Sequence, residues 1–410
     1  MIILDSALER RGREGNPVRV GLIGAGAIGG AIAQQLLSPV VGIELAAIAG
    51  RNRARVEEIV GGSRVLVSDD PLLVCSAPDV DVIIEATGDA EAGAHVTLEA
   101  IEHGKHVVLV NAELAATLGP ILRVRAEQKG LVVSYTDGDE PGILMNLYRY
   151  ATTIGCRPVL AGNVKGLLDP YRTPETQQDF AAQWGQKPRM VTSFADGTKL
   201  SMEMTLVANA TGFGVARRGM MGHRVAHVKD VPTLYDGDAL LERGLVDFVL
   251  GAEPGSGGFL VVHDDEPSRR EWMRYFKLGD GPFYVFYQPW HLPHLEAPLT
   301  AARAVLFHDA AVAPRAGPVC EVVTLAKRDL HAGERLDGVG GFTCYGSIEN
   351  VEVSRARRLL PMALSGECTV TRDVARDEPI GIEDVEIPPG RLGDELYAEQ
   401  TAMFDVARGV

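Results

Sequence analysis

The sequence lacks the paired cysteines, long apolar segments and excess positive charge that are typical of disulfide-bonded, zinc-binding, membrane-spanning or nucleic-acid-binding proteins. Its five cysteines are scattered without a CxxC pair, which excludes a zinc ribbon and gives no sign of a disulfide framework. No stretch approaches the roughly 20 apolar residues of a membrane span, and the charged N-terminus lacks the apolar core of a signal peptide. The net charge of −15 argues against a nucleic-acid or anionic-membrane partner. We therefore predict a soluble cytoplasmic protein with reduced thiols.

The strongest motif that is present is a glycine pattern near the N-terminus. The apolar residues 18–23 run into a G-x-G-x-x-G fingerprint, and a helical pattern follows, which is the context this motif requires. Its first glycine permits a tight turn, the second lets backbone approach a pyrophosphate, and the third lets the helix pack closely. The alternative is an ordinary strand–helix turn in which glycine serves packing alone. The predicted dinucleotide contacts in this loop are Gly24, Gly26, Ala27, Ile28 and Gly29.

Apolar strands alternate with amphipathic helices through the first 150 residues. A charged helix is predicted over residues 1–16, before the fingerprint. Fully apolar strands separated by helices indicate a parallel sheet covered on both faces. The predicted fold class is α/β, with a Rossmann-type doubly wound parallel sheet over residues 1–150. Its later strands are predicted at 43–50, 63–69, 80–88, 105–111 and 130–139.

The end of the second predicted strand carries arginine where an acid is common. NAD-specific domains place Asp or Glu about 20 residues beyond the glycines, to hold the ribose hydroxyls. This chain has Arg51, Asn52 and Arg53 there. A guanidinium at Arg51 or Arg53 would pair with a 2′-phosphate, so NADP is favoured over NAD. The alternative is that these arginines begin a solvated helix.

Polar residues follow the later strands, at the sheet edge where open α/β folds bind ligands. Thr87 with Gly88 and Asn111 with Glu113 are predicted to contact the ribose and nicotinamide. The acidic residues 137–140 include Asp139, a predicted substrate contact. They would bind substrate hydroxyls, a metal ion or a protonated lysine, or they form a turn and helix cap before Pro141. Both interpretations stay open.

The middle of the chain places cations beside glycines. Lys165 follows an apolar strand in a glycine-flanked loop, and Arg218 lies in a glycine-bounded loop. Residues 190–211 are predicted to form a strand, a turn that carries Asp196 and Lys199, and a helix. Taken singly, a lysine is more often a solvated surface residue. Together the glycine-rich settings favour a common pocket with positive charge.

The predicted helix adds two further candidates. Glu203 follows Lys199 at i, i+4 and shares its face, with Asn209 nearby. Residues 270–300 concentrate aromatic side chains, and alternation at 282–288 predicts a strand. The HLPHLE segment follows no established ligand spacing, so no metal site is predicted. Residues 315–410 have the texture of a β-rich module.

Together these segments resemble a family of homoserine dehydrogenase-like oxidoreductases that carry a C-terminal SAF domain. That group includes 1-deoxy-D-xylulose 5-phosphate reductoisomerase-like enzymes. The resemblance covers nearly the whole chain. It rests on GAGAIGG, VNAELAATLGP, SYTDGDEPG, SFADGTKLSMEMTLVANATG, YFKLGDGPFYVFYQPWHLPHLEAP and AKRDLHAGERLDGVGGFTCYG.

The resemblance implies an NADP-dependent or NAD-dependent hydride transfer to or from a small polar carbonyl or alcohol compound, with or without a phosphate. It implies a nucleotide domain over 1–150, a substrate and dimerisation domain over 151–314, and a SAF-like domain over 315–410. A homodimer or higher homo-oligomer is expected. The implied site residues are Lys165 and Lys199 for substrate contact or proton transfer, Asp196 and Glu203 as orienting carboxylates, and Arg218 and Lys277 as binders of a phosphate or carboxylate. Asp139 and Asn209 complete the predicted substrate-binding residues, from their places in the sequence.

Two departures and two rival functions accompany this expectation. Homoserine dehydrogenases have an Asn-Lys pair near the fifth strand, where this chain has Asn111 and Ala112. They also often carry an ACT domain, so homoserine is a doubtful substrate. Reductoisomerisation of a sugar phosphate, with a divalent metal at 137–140, is one alternative. A nucleotide-binding sensor or scaffold is the other.

Overall fold

A computed structural model of the chain describes residues 4–38 and 40–408, so the first three residues of the predicted N-terminal helix lie outside the described residues. The strands are β1 (Val18–Ile23), β2 (Ile43–Ala49), β3 (Leu66–Ser68), β4 (Val82–Glu85), β5 (His106–Leu109), β6 (Val133–Tyr135), β7 (Arg157–Lys165), β8 (His223–Arg224), β9 (Leu245–Leu250), β10 (Gly258–His263), β11 (Phe283–Gln288), β12 (Cys320–Ala326), β13 (Cys344–Asn350), β14 (Thr369–Val370) and β15 (Val385–Glu386).

The helices alternate with the strands in the first half of the chain and are less regular afterwards. They are α1 (Asp5–Arg13), α2 (Ala27–Leu37), α3 (Arg53–Val60), α4 (Pro71–Ser76), α5 (Ala90–Glu102), α6 (Ala112–Glu127), α7 (Glu140–Thr153), α8 (Gln178–Gln183), α9 (Pro188–Ala195), α10 (Thr198–Thr211), α11 (Gly237–Glu242), α12 (Pro267–Tyr275), α13 (Pro293–Phe307), α14 (Val351–Ala356) and α15 (Leu392–Arg408), with 3₁₀ helices at Val228–Leu234, Met362–Leu364 and Ile382–Asp384. In the described part of the chain no helix combines the length and apolarity needed to cross a membrane.

The chain packs as two compact units, each built from separated stretches. The parallel-sheet unit comprises Met1–Gly142, Leu292–Ala313 and Pro389–Val410. The mixed-sheet unit comprises Ile143–His291 and Pro314–Pro388. The range 315–410 contributes to both units, and its assignment as a SAF-like domain stays a prediction.

The parallel-sheet unit has a six-stranded sheet in the order β3-β2-β1-β4-β5-β6, and every pairing is parallel. Successive residues of β1 face opposite sides of this sheet. Val20 and Leu22 belong to a buried cluster with residues of α2 and α13. A Cβ placed at Gly21, on the other side, would lie 2.8 Å from Val74 of α4. Helices therefore cover both faces, and the predicted Rossmann-type sheet is confirmed.

The C-terminal helix α15 packs in this unit and hydrogen-bonds to backbone groups of α6 next to a proline. Pro120 lies inside α6 and has no N–H to donate. The Gln400 side chain accepts from Ile121 N at 3.0 Å and donates to the Thr117 carbonyl at 2.9 Å. The amide of Gln400 thus satisfies backbone groups on both sides of the proline.

The mixed-sheet unit has a five-stranded sheet in the order β11-β10-β7-β9-β8. Its middle strand β7 pairs antiparallel with β10 and parallel with β9. Helix α10 packs against this sheet and against the antiparallel β12–β13 pair. Most of α10 is buried, which makes it the central element of the unit.

One secondary-structure prediction is wrong in this unit. The segment before Asp196 is the helix α9, where a strand was expected. Pro188 stands at its first turn, where the ring fixes a helical φ and the missing N–H costs nothing. The Thr192 hydroxyl donates back to the Pro188 carbonyl at 2.9 Å, a bond that suits a helix. The strand predicted in the aromatic segment is confirmed as β11.

Candidate active site

The three fingerprint glycines occupy three different environments. Gly24 has φ +106°, and a Cβ there would lie 2.5 Å from the Ala86 carbonyl oxygen. A Cβ at Gly29 would lie 1.9 Å from the Gly24 carbonyl oxygen, so the helix packs directly on the turn. A Cβ at Gly26 would meet nothing within 4 Å. The first and third glycines are needed by the fold, and the second opens a cradle in which a pyrophosphate fits.

The start of α2 is suited to an anion. Gly26 is its N-cap residue and provides no side-chain acceptor for the first turn. The first N–H groups of a helix have no partner within the helix, and the helix dipole favours negative charge at that end. Ala27 and Ile28, which are predicted to contact the cofactor, are the first two residues of α2. In other dinucleotide-binding folds the cofactor's phosphates bind at this end of the helix.

The arginines after β2 are not equivalent. Arg53 pairs with Glu57 at 2.9 Å on the surface of α3. The Asn52 side chain accepts from Arg55 N at 3.2 Å and caps the same helix. Arg51 is exposed and makes no hydrogen bond or ion pair with any residue that the structure describes. Its guanidinium is therefore available to an anion.

Arg55 is a residue that sequence analysis missed. Its Nε donates to the carbonyl oxygen of Ala25, inside the fingerprint loop, at 3.0 Å. A Cβ at Gly50 would lie 3.0 Å from the Cβ of Ala25, so the two loops pack tightly. Arg55 thus holds a second guanidinium beside the Gly26 cradle. Its spacing from the glycines carries no signal, because the contact exists only once β1 and β2 pair.

The end of β4 carries a buried carboxyl group. Glu85 is fully buried and accepts the backbone N–H of Thr87 at 2.8 Å together with the Thr87 hydroxyl. Burial raises the pKa of Glu85 to about 7, against the lowering effect of the Thr87 hydrogen bonds. Its second oxygen, Oε2, has no hydrogen-bond partner among the described residues. The neighbouring Gly88 has φ +68°, which suits glycine.

Asn111 is engaged within the protein. Its Oδ1 accepts from Leu114 N at 3.0 Å and caps α6, while its Nδ2 donates to the Asp89 carbonyl at 2.9 Å. Asn111 and the nearby Glu113 are both buried. Asn111 therefore ties the loop after β4 to the start of α6, and its predicted role at the nicotinamide stays a prediction.

The acidic residues after β6 are packed into the parallel-sheet unit. Asp139 is buried and accepts a hydrogen bond from the Tyr135 hydroxyl. Gly138 has φ +77°, and a Cβ there would lie 2.7 Å from the Cβ of Glu296 at the start of α13. Burial, together with the nearby Asp137, raises the pKa of Glu296. The segment is thus a tight turn as well as an acidic one, and its role in binding substrate or a metal ion stays a prediction.

The mixed-sheet unit brings Lys165 and Glu203 together. Lys165 is the last residue of β7, and its Nζ lies 3.4 Å from Glu203 Oε2 on α10. Glu203 is only 3% exposed. Lys199 lies one turn earlier on α10, as predicted from the i, i+4 spacing. Lys165, Glu203 and the neighbouring Asn163 form the lysine–carboxylate cluster, with Lys199 beside Glu203 in the sequence of α10.

Asn163 belongs to the same cluster and was missed. Its Nδ2 donates to Glu203 Oε2 at 3.0 Å, and the residue is fully buried. Asn163 and Lys165 are two residues apart on β7, so they share a face of the sheet. That alternation is the signal that would have found it.

Asp196 is engaged elsewhere. Its Oδ2 accepts from Lys327 Nζ at 2.9 Å, and its Oδ1 accepts from Thr198 N at 2.9 Å. Lys327 also donates to the carbonyl oxygens of Arg172 at 2.7 Å and Gly341 at 2.9 Å. Both side chains are almost completely buried. The pair joins the start of α10 to the end of β12.

The remaining predicted residues also have partners of their own. Asn209 Oδ1 accepts from Val319 N at 2.7 Å and from Cys320 N at 2.9 Å. Arg218 pairs with Glu349 at 2.9 Å, and Lys277 is exposed, with φ +64°. Within the described ranges, none of the hydrogen bonds or ion pairs of Asp196, Asn209, Arg218 or Lys277 reaches Lys165 or Glu203. Their predicted roles in catalysis and substrate binding stay predictions.

Two family models match consecutive parts of the chain. Residues 24–136 match the model described as "Homoserine dehydrogenase, NAD binding domain". Residues 138–297 match the model described as "Oxidoreductase DRL, catalytic domain". The first model covers the fingerprint and the strand ends of the parallel sheet. The second covers the lysine–carboxylate cluster.

Curated relatives match over a limited length. A homoserine dehydrogenase of Methylobacillus glycogenes is 32% identical over 125 residues, which are 27% of this chain and 29% of that protein. A 1-deoxy-D-xylulose 5-phosphate reductoisomerase of Pseudomonas paraeruginosa is 30% identical over 152 residues, 36% of this chain and 37% of that protein. This chain therefore spans only about a third of the curated relatives that it matches. Among solved structures, a homoserine dehydrogenase from Thiobacillus denitrificans aligns with TM-score 0.47 and 18% identity, covering 78% of this chain and 83% of that one.

Proposed function

We propose that this chain, which joins an NAD-binding domain of the homoserine dehydrogenase type to an oxidoreductase DRL catalytic domain, transfers a hydride between a nicotinamide cofactor and a small polar carbonyl or alcohol compound. The observation that carries the proposal is the lysine–carboxylate cluster, in which a lysine is held against a buried carboxylate. A positioned lysine is a suitable proton donor to a carbonyl oxygen and acceptor from an alcohol.

The cluster assigns separate tasks to its members. Lys165 binds the substrate oxygen and gives it a proton during reduction, or takes the proton during oxidation. Glu203 orients Lys165, and Asn163 orients Glu203 through the 3.0 Å hydrogen bond. Lys199 lies on the same face of α10 as Glu203, where its positive charge holds the substrate. When bound, the dinucleotide supplies or accepts the hydride.

Lysine substitution tests this assignment. Lys165→Ala is expected to lower kcat by about 10²–10⁴-fold, the usual contribution of general acid–base catalysis. Binding of the reduced dinucleotide, followed by its fluorescence, should be unchanged. Lys229→Ala is the matched control, because Lys229 is an exposed lysine of the same unit. Normal turnover in Lys165→Ala would remove the assignment.

The substrate is identified by a screen. Reduced-cofactor oxidation and oxidised-cofactor reduction are followed against aldehydes, keto acids, hydroxy acids and sugar phosphates, each with and without Mg²⁺. We expect turnover with one polar class. If the wild-type protein binds dinucleotide but turns over no compound, the proposed reaction class is wrong.

We further propose NADP as the preferred cofactor. Arg55 is anchored at Ala25 of the fingerprint loop. Arg51 is available to an anion and follows Gly50, which packs on Ala25. A 2′-phosphate is the group on NADP that NAD lacks, and planar guanidinium groups suit it. Arg53 already pairs with Glu57 and is not part of this set.

Three substitutions test the cofactor preference. Arg51→Gln and Arg55→Gln are each expected to weaken NADPH binding about tenfold, the equivalent of about 1.4 kcal/mol. NADH binding should be unchanged, because NADH has no 2′-phosphate. Arg53→Gln is the matched control and should leave the dissociation constants of NADPH and NADH unchanged. An equal loss for NADPH and NADH would mean that the arginines only support the loop.

Rearrangement of a sugar phosphate before reduction is a second candidate reaction. The similarity to a relative named 1-deoxy-D-xylulose 5-phosphate reductoisomerase favours it. That reaction would show turnover only with phosphorylated sugars. Turnover with simple aldehydes or keto acids, without added metal, would favour plain reduction.

A further inference from the structure

Glu85 is a buried carboxyl group at the place where a doubly wound sheet binds its ligand. In the strand order β3-β2-β1-β4-β5-β6 the direction of winding reverses between β1 and β4. Ligands of such sheets bind at this switch point, in the crevice beyond the carboxyl ends of the strands. Glu85 is the last residue of β4 and pairs with Ile23, the last residue of β1. It therefore lies at the sheet edge that borders the crevice.

The surroundings of Glu85 leave room for its carboxyl group and enclose it. A Cβ at Gly93 of α5 would lie 3.1 Å from Glu85 Cδ and 2.9 Å from Asn111 Nδ2. Any larger residue in place of Gly93 would thus displace the carboxyl group or the amide. Glu85 is completely buried, whereas the following loop residues Thr87 and Gly88 are half-buried and exposed. The carboxyl group is enclosed beneath a loop that itself reaches the surface.

The same loop packs on the fingerprint turn. A Cβ at Gly24 would lie 2.5 Å from the Ala86 carbonyl oxygen and 3.1 Å from Thr87 N. Ala86 N also donates to the Ile23 carbonyl at 2.8 Å. Glu85 Oε1 accepts from Thr87 N at 2.8 Å. The buried carboxyl group therefore fixes the loop that lies beside the fingerprint.

The order of the strands indicates which half of a dinucleotide lies beside Glu85. In dinucleotide folds the end of the second strand holds the ribose that carries the 2′-phosphate in NADP, and the pyrophosphate lies at the start of the helix after the first strand. These places are the end of β2 and the start of α2 in this chain. In the sheet, β2 and β4 lie on opposite sides of β1. A dinucleotide across the crevice thus has its adenosine half at β2 and its nicotinamide half on the side of β4.

The neighbours of Glu85 provide acidic or apolar surroundings. Burial raises the pKa of Glu85 to about 7, and the buried Glu113 of α6 adds to that rise. On α5 the N-cap residue Asp89 is exposed, and its carboxylate caps the helix. The residues that pair with Glu85 on the flanking strands are the apolar Ile23 and Leu109. A cation bound beside this loop would therefore have acidic neighbours.

We propose that Glu85 sets the preference of this chain between the oxidised and the reduced dinucleotide. The nicotinamide ring is positively charged in the oxidised cofactor and neutral in the reduced one. An ionised Glu85 favours the positive ring, because opposite charges interact more strongly in a poorly hydrated place than in water. Binding of the oxidised cofactor therefore releases a proton from Glu85, and binding of the reduced cofactor releases less. The inference rests on the dinucleotide binding of the proposed function and does not depend on the lysine–carboxylate cluster.

Equilibrium binding at several pH values tests the proposal. The dissociation constants of NADP⁺ and NADPH are measured by calorimetry between pH 6 and pH 8.5. Their ratio is compared, because the titration of the 2′-phosphate at about pH 6 is common to both cofactors. In the wild-type protein the preference for NADP⁺ over NADPH should rise about 5–10-fold as the pH rises, an ordinary coupling between two sites. Titrations of NADP⁺ in buffers of different ionisation enthalpy should show proton release near pH 7.

Glu85→Gln separates this role from a structural one. Glutamine keeps an acceptor for Thr87 and does not ionise, so the ratio of the two constants should become independent of pH. Glu44→Gln is the matched control, because Glu44 is an exposed glutamate at the start of β2, on the opposite edge of the same sheet. This control also removes one carboxylate and should keep the wild-type pH dependence.

The possible outcomes distinguish this inference from the proposed function. A wild-type protein that binds both cofactors with a ratio independent of pH would overturn the inference alone. Retention of the wild-type pH dependence by Glu85→Gln would also overturn it. Failure of the wild-type protein to bind either cofactor at any pH would overturn the proposed function as well. The wild-type ratio and the proton release decide the outcome even if Glu85→Gln does not fold.

Discussion

The two units build their candidate sites from different materials. In the parallel-sheet unit the anion cradle is made of backbone: a turn at Gly24, open space at Gly26 and the uncapped start of α2. In the mixed-sheet unit the cluster is made of side chains: Asn163 and the half-buried Lys165 donate to one oxygen of the buried Glu203. A backbone site depends on local conformation. A side-chain site depends on which elements pack together.

The difference predicts how each unit responds to substitution. Removing one member of a buried charged pair leaves the other without compensation, so the mixed-sheet unit should lose stability. In the backbone cradle, substitution of Gly24 or Gly29 should lower stability, whereas substitution of Gly26 should affect only ligand binding. Each prediction below tests one side of this comparison.

The largest effect is expected at the buried pair of Asp196 and Lys327. Lys327→Met should lower the free energy of unfolding by about 3–5 kcal/mol, because the Asp196 carboxylate is left buried and unpaired. Urea unfolding measures the loss. The double variant Asp196→Leu with Lys327→Met should recover much of it, because both charges are then absent. A loss below about 1 kcal/mol in the single variant would contradict the importance of the pair.

Glu85 is a buried side chain in the parallel-sheet unit, where the anion cradle is otherwise made of backbone. We expect Glu85 to make the free energy of unfolding depend on pH. Its pKa is about 7 in the folded chain, against an ordinary value of 4.5. Between these values the folded state holds more protons than the unfolded state, so stability falls as pH rises. The contribution is fully present below the unfolded value and lost above the folded one. The pKa difference corresponds to about 3 kcal/mol.

Glu85→Gln isolates this effect, because glutamine keeps the acceptor for Thr87 and does not ionise. Urea unfolding of both proteins at pH 5 and pH 8 should show a variant that gains about 2.5 kcal/mol relative to wild type over that range. A constant difference between the two proteins would mean that Glu85 titrates normally. Binding of dinucleotide at both pH values shows whether the carboxyl group also affects the cofactor site.

The smallest effect on stability separates two glycines. Gly29→Ala should cost about 1–3 kcal/mol, because its Cβ would lie 1.9 Å from the Gly24 carbonyl oxygen. Gly26→Ala should change stability by less than about 0.5 kcal/mol, because the added methyl meets open space. Gly26→Ala should nevertheless weaken dinucleotide binding, measured by cofactor fluorescence. Unchanged binding in that variant would contradict the cradle at Gly26.

Sequence analysis was strongest where a signal lies within a few residues. The fingerprint, the parallel sheet and the i, i+4 placement of Lys199 and Glu203 were all accessible from local patterns. The error at α9 arose because apolar residues after Met190 suit a strand as well as a helix, and the helix-starting role of Pro188 was overlooked. The cap that Asn111 forms on α6 was accessible in the same way, because an Asn just before a helix is a common cap.

Contacts between distant residues were beyond the sequence. Arg55 reaches Ala25 across 30 residues, and Lys327 reaches Asp196 across 131. Gln400 completes α6 from 279 residues away. No sequence periodicity relates such pairs, because the residues between them form helices and strands that are determined by local sequence. Only packing chooses the partner.

By itself the sequence determined the dinucleotide-type turn, the parallel α/β architecture around it and the residue types of the candidate site. These follow from backbone conformation, which neighbouring residues and glycine largely decide. The tertiary structure alone decided which lysine meets a buried carboxylate, which arginine is available and which carboxylate is already paired. It also enclosed Glu85 beside α5, since side-chain partners and burial depend on elements that are brought together only when the chain folds.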